Sequence, residues 1–63
     1  MELPQDNFML LSVINTQLRD KYNSLDALCD DTEADKGDII ARLSGIGYEY
    51  NEKLKQFKYL RKR

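Results

Sequence analysis

The sequence predicts a mainly α domain: three helices in a helix-turn-helix-like order, closed by a small C-terminal β-hairpin in the manner of a winged helix. Three observations predict it. Three segments each open on a capping side chain and continue with apolar residues at helical spacing. Two short runs, Ile46 to Tyr50 and Gln56 to Tyr59, then alternate aromatic or aliphatic with other residues around a polar stretch. The chain has 63 residues, which suits one domain and leaves no room for a second.

The first helix is expected over about residues 7–22. Asp6 supplies the N-cap, because its carboxylate accepts from the unpaired amides of the first turn. Leu11, Ile14, Leu18 and Tyr22 share one helical face and are assigned to the core. Met9, Leu10 and Val13 form a second apolar strip, which either packs under the C-terminal segment or meets a partner chain. On the polar side, Asn15 and Arg19 stand one turn apart. They read either as a recognition pair or, for Arg19, as a partner for a carboxylate or helix end of the same domain.

Asn23-Ser24 interrupts this helix. Ser24 caps a second, short helix over about 25–31, with Asp26 at the positive end of its dipole and Leu25, Leu28 and Cys29 on its buried side. Thr32-Glu33-Ala34 is a turn. Asp35 caps the third helix, about 36–44, and Asp38 three residues on makes an imperfect capping box. Ala34 and Ile39 occupy the two positions of a hydrophobic staple. Ile39, Ile40 and Leu43 are available to the core, and Gly45 is the stop.

A hairpin is expected over about 46–59, followed by a basic tail at 60–63, with a turn of three to five residues between the strands. Periodicity does not decide this segment. Tyr50, Leu54, Phe57 and Arg61 also fall on one side of a helix capped by Asn51.

Composition narrows the function classes. Histidine and tryptophan are absent and there is one cysteine, which excludes disulfide scaffolds, the usual zinc-finger ligand sets and every arrangement built on an imidazole base. The segment from Asp30 to Asp38 resembles a calcium loop. However, Lys36 stands where the loop needs glycine and Arg42 where it needs a bidentate glutamate. Cys29 lies among Leu25 and Leu28, and burial there would quiet its thiol. The expectation is therefore no catalytic residue, no metal, no cofactor and no small-molecule substrate: a binding module, not an enzyme. No stretch approaches the roughly 20 apolar residues of a membrane span, and the opening residues lack the basic lead of an export signal. With a lone thiol, a cytoplasmic location is expected.

Charge is segregated along the chain. Residues 1–52 hold all eleven acids and four bases, whereas 53–63 hold six bases and no acid. The first functional reading is weak nucleic-acid binding, with Lys36, Arg42, Lys53, Lys55, Lys58, Arg61, Lys62 and Arg63 meeting phosphates. In it, Phe57 and Tyr59 serve either as a base-stacking platform or, as small domains usually require, as packing. The third helix offers only Lys36 and Arg42 against Asp35 and Asp38, so the hairpin and tail carry most of this signal. The alternative is a protein-interaction module or homodimer that uses Met9, Leu10 and Val13.

Leu3-Pro4, Met9-Leu10-Leu11-Ser12, Asn15-Thr16-x-Leu18-Arg19-Asp20, Tyr22, Ser24-Leu25-Asp26, Leu28-Cys29, Gly47-Tyr48-x-Tyr50 and Gln56-Phe57 carry a resemblance over residues 3–57. The chain resembles a family of short bacterial proteins known only as a domain of unknown function. That resemblance implies no activity, substrate or catalytic residue. Members of that family commonly end soon after the position of Phe57, which sets Lys58 to Arg63 apart from any shared role. A chain ending there favours the hairpin over the helix.

Overall fold

Each helix starts at the side chain expected to cap it. In the computed structural model, which describes residues 3–60, Asp6 accepts from the Phe8 amide at 2.8 Å and opens α1 (Asn7–Asp20). Ser24 accepts from Ala27 at 3.1 Å and opens α2 (Leu25–Thr32). Asp35 accepts from Asp38 at 3.2 Å and opens α3 (Lys36–Ser44). These bonds satisfy donors that a helix cannot pair internally.

The ends depart from expectation. α1 stops at Asp20, two residues before the expected Tyr22, and the amides of both Lys21 and Tyr22 converge on the Gln17 carbonyl. The chain must unwind there to bring Ser24 into its extended capping conformation. α2 closes on Glu33, which holds a left-handed φ of 58°; its amide and the next, Ala34 at 3.1 Å, both return to the Cys29 carbonyl, a left-handed cap without its usual glycine. Gly45 does end α3, but in right-handed geometry. The left-handed residue is Gly47, with φ +89°.

β1 (Tyr48–Asn51) and β2 (Gln56–Tyr59) pair antiparallel, Tyr48 opposite Tyr59 and Tyr50 opposite Phe57. Asn51 selects this hairpin over a helix. Its side chain accepts from Leu54 at 3.1 Å and its carbonyl from Lys55 at 2.7 Å, and Lys55 takes a left-handed φ of 56° that ends any helical run. Tyr48, Tyr50, Phe57 and Tyr59 share one face, since residues opposite in a ladder point the same way. Their rings pair as Tyr48–Tyr59 and Tyr50–Phe57, each with centroids 5.4 Å apart and tilted.

The core is Leu10, Ile14 and Leu18 from α1, Leu25, Leu28 and Cys29 from α2, Ile39 and Leu43 from α3, and Phe57 from β2. Ala34 and Tyr22 pack against it. Ile40, expected inside, is 38% exposed, because Ile39 and Leu43 already fill the side of α3 that faces α1. Among the described residues no helix is long and apolar enough to cross a membrane.

Gly47 is fixed by a close approach as well as by its backbone. A Cβ there would lie 2.7 Å from Cε1 of Tyr59. Gly47→Ala is therefore expected to cost about 1–2 kcal/mol, from left-handed strain and displacement of the ring. Chemical denaturation measures it. An unchanged midpoint would mean that Tyr59 gives way freely.

Candidate functional site

Asn15 positions the hairpin. Its amide accepts from the Phe57 N–H at 2.8 Å and donates to the Phe57 carbonyl at 3.2 Å, so one side chain takes the place of a neighbouring peptide unit along β2. Gln56 answers by donating to the Asn15 backbone carbonyl at 3.1 Å. Asn15 and Arg19 are therefore not a recognition pair. Asn15 is turned to β2, and exposed Arg19 donates to Asp20 beside it at 2.9 Å. That bond raises the Arg19 pKa and lowers that of Asp20.

The eight basic residues fall into three groups. Lys36 forms an ion pair with Asp26, which raises its pKa. The half-buried guanidinium of Arg42 donates to Asn7 Oδ1 at 2.8 Å and to the Pro4 carbonyl, tying α3 to the segment before α1. Lys53 and Lys55 sit in the hairpin turn, and Lys58 on β2 opposite Glu49; all three are exposed, with no ion pair within 4.0 Å among the described residues. Arg61, Lys62 and Arg63 lie outside the described residues. Lys53 and Lys58 share their outer surface with Glu49 and Glu52, so that surface is close to neutral.

The apolar strip divides. Met9 is 59% exposed and Val13 half-buried, but Leu10 is fully buried and belongs to the core. The assignment of Leu10 to an interface is corrected for a packing reason. α1 touches α2 and α3 on one side and β2 on another. Leu10 continues the buried stripe of Ile14 and Leu18, whereas Leu11, one turn before Asn15 and on the side where the hairpin docks, stays half-buried at its margin.

Sequence reasoning missed a different apolar group. Phe8 lies two turns before Asn15 on the same side of α1, about 10 Å along the helix. Leu60 lies three residues past Phe57, about 10 Å along the strand. The Asn15–Phe57 bonds fix the two elements alongside each other, and Leu60 is held by its amide to the Gly47 carbonyl at 2.8 Å. Phe8 and Leu60 thus come to one end of the molecule, 62% and 48% exposed, with Met9 on the outer side of the same helical turn and Tyr59, 59% exposed, on the face of the strand opposite to Leu60. The available signal was angular: Phe8 is far round the helix from Leu10, Ile14 and Leu18.

At the opposite end, a cleft of about 240 Å³ separates the start of α2 from the hairpin turn, lined by Ser24, Asp26, Lys36, Tyr50, Glu52 and Lys55. Its polar groups largely serve the fold. Ser24 caps α2, Tyr50 accepts at its hydroxyl from the Leu25 amide at 3.2 Å, and Lys36 holds Asp26. Tyr22 donates to Asp31 at 2.5 Å, which raises its phenol pKa.

Cys29 is buried, and burial pushes its thiol pKa up, with nearby Lys36 opposing only in part. A raised folded pKa stabilises the fold at pH values below the thiol's unfolded value and ceases to do so as pH rises through the folded one. Alkylation of Cys29 by iodoacetamide is expected to follow unfolding, accelerating in denaturant. Native-state labelling at the rate of a free thiol would contradict this burial.

No curated protein and no solved structure matches the chain. A family model described as a domain of unknown function matches residues 4–57, nearly the stretch over which the sequence resemblance runs, and the chain belongs to that family, DUF4250.

Proposed function

We propose that the protein is a non-catalytic docking module for a protein partner, with Phe8, Met9, Tyr59 and Leu60 as its contact surface. The observation that carries this reading is the exposure of four large apolar side chains, Phe8, Met9, Tyr59 and Leu60, in a very small domain. Such side chains normally serve the core when apolar residues are scarce, and exposed clusters mark association surfaces. A cytoplasmic location agrees with the single buried thiol. The double variant Phe8→Ser, Met9→Lys changes only exposed positions and should leave the fold intact. Capture from native lysate should yield a partner that survives nuclease and is lost with the variant. Capture that vanishes with nuclease, or is indifferent to the variant, refutes the assignment. Sedimentation at high concentration identifies the case in which the partner is a second copy.

Weak nucleic-acid binding is the second reading, favoured by the unpaired Lys53, Lys55 and Lys58 and by an order of helices and hairpin like that of a winged helix-turn-helix. Lys36 and Arg42 support it less, being engaged within the domain. Three phosphate contacts from these lysines would give a log–log salt slope of about −2.7, at roughly 0.9 per contact.

A further inference from the structure

The N–H and carbonyl of Phe57 both bond to Asn15, so both point away from β1. Residues in an antiparallel ladder alternate between pairs that exchange bonds and pairs whose backbone groups face outward. Tyr50, opposite Phe57, therefore turns its own N–H and carbonyl away from β2, and Tyr48 two residues earlier does the same. The Leu60–Gly47 bond, one pair beyond Tyr48–Tyr59, keeps this alternation. Among the described residues these four groups on β1 have no hydrogen-bond partner. The Tyr50 pair borders a groove of about 450 Å³ whose walls are α3, through Lys36, Ile40 and Ser44, β1 with the start of its turn, through Glu49, Tyr50 and Glu52, and Leu25 of α2. The groove thus lies on the edge remote from β2.

We propose that β1 is a docking edge for an extended peptide alternating apolar and basic residues, which adds as a third strand. An unpaired row of donors and acceptors at two-residue spacing is what a strand recognises. The pattern of the incoming chain follows from the two faces of the hairpin. On one face Tyr48 and Tyr50, with Ile40 exposed alongside, call for apolar side chains. On the other, Glu49 already has Lys58 opposite it in β2, and a basic residue from the peptide would extend that row, with Glu52 following. Lys36 is already paired to Asp26. A second copy of β1 is a poor occupant, because antiparallel pairing of Tyr48 with Tyr50 would set the two Glu49 carboxylates opposite each other. This edge is separate from Phe8 and Met9, which lie on α1.

The test is a titration of isotope-labelled protein with an acetylated Lys-Val-Lys-Val-Lys-Val peptide and with its counterpart bearing Glu for each Lys. At ten times Kd, amide exchange at Tyr48 and Tyr50 should slow by about tenfold, while Glu49, already bonded within the hairpin, stays unchanged. The acidic peptide should give no such protection, Glu49→Lys should reverse the preference, and the Phe8→Ser, Met9→Lys variant should bind as the parent does. Failure of the basic peptide to bind, binding without protection of Tyr48 and Tyr50, or equal protection by both peptides overturns the proposal.

Discussion

Leu10→Asp is expected to unfold the protein, with loss of its helical circular dichroism, and not to dissociate an assembly of folded chains. Leu10 is fully buried in the core with Ile14, Leu18, Ile39, Leu43 and Phe57. Truncating such a side chain alone costs about 2–5 kcal/mol, and a carboxylate adds the cost of an unpaired buried charge. A core of this size supplies roughly 3–5 kcal/mol of net stability, so the substitution exceeds what the fold can absorb. Met9→Asp is the control, one residue away on a side chain that is mostly in solvent. It should leave the spectrum and the unfolding midpoint nearly unchanged. A folded, monomeric Leu10→Asp protein would return Leu10 to the surface and undo the placement of α1.

The contrast between Leu10 and Met9 marks how far the sequence was legible. Local chemistry was readable: Asp6, Ser24 and Asp35 cap the helices they were expected to cap, and the aromatic alternation around Asn51 produced the hairpin. Caps and turns depend on a few neighbouring residues, so their signals survive without the rest of the fold. The rotation of α1 depends on where β2 docks, more than thirty residues later. Leu10 and Leu11 were therefore interchangeable until all the neighbours of α1 were in place: Leu10 joins the buried stripe, and Leu11 is left half-buried on the side where Asn15 holds the hairpin. For the same reason Lys36 and Arg42 read as free bases although Asp26, Asn7 and Pro4 claim them. A charge's nearest partner is set by tertiary contact. The outward-facing edge of β1 was hidden too, because the ladder's alternation is fixed by the Asn15–Phe57 contact, which no spacing along the chain encodes.

That contact gives the second large effect. Asn15→Ala should lower stability by about 2–3 kcal/mol, because it strands one backbone donor and one acceptor of Phe57 beside a helix that limits their access to water. The loss should be local before it is global. Amide exchange at Phe57 should accelerate more than at Ile14 or Leu28, since the hairpin opens while the helices still pack. Asn15→Asp separates the two halves of the interaction. A carboxylate keeps the bond from the Phe57 N–H but faces the Phe57 carbonyl with negative charge, whereas the protonated acid donates to that carbonyl as asparagine does. The folded state should then hold the proton more tightly than the unfolded state. The variant should therefore gain stability relative to the parent as pH falls from 7 toward the carboxylate range. Urea midpoints across that range measure the difference. A midpoint gap between variant and parent that stays constant with pH would mean that residue 15 donates nothing to β2, and the alternation that turns Tyr48 and Tyr50 outward would lose its anchor.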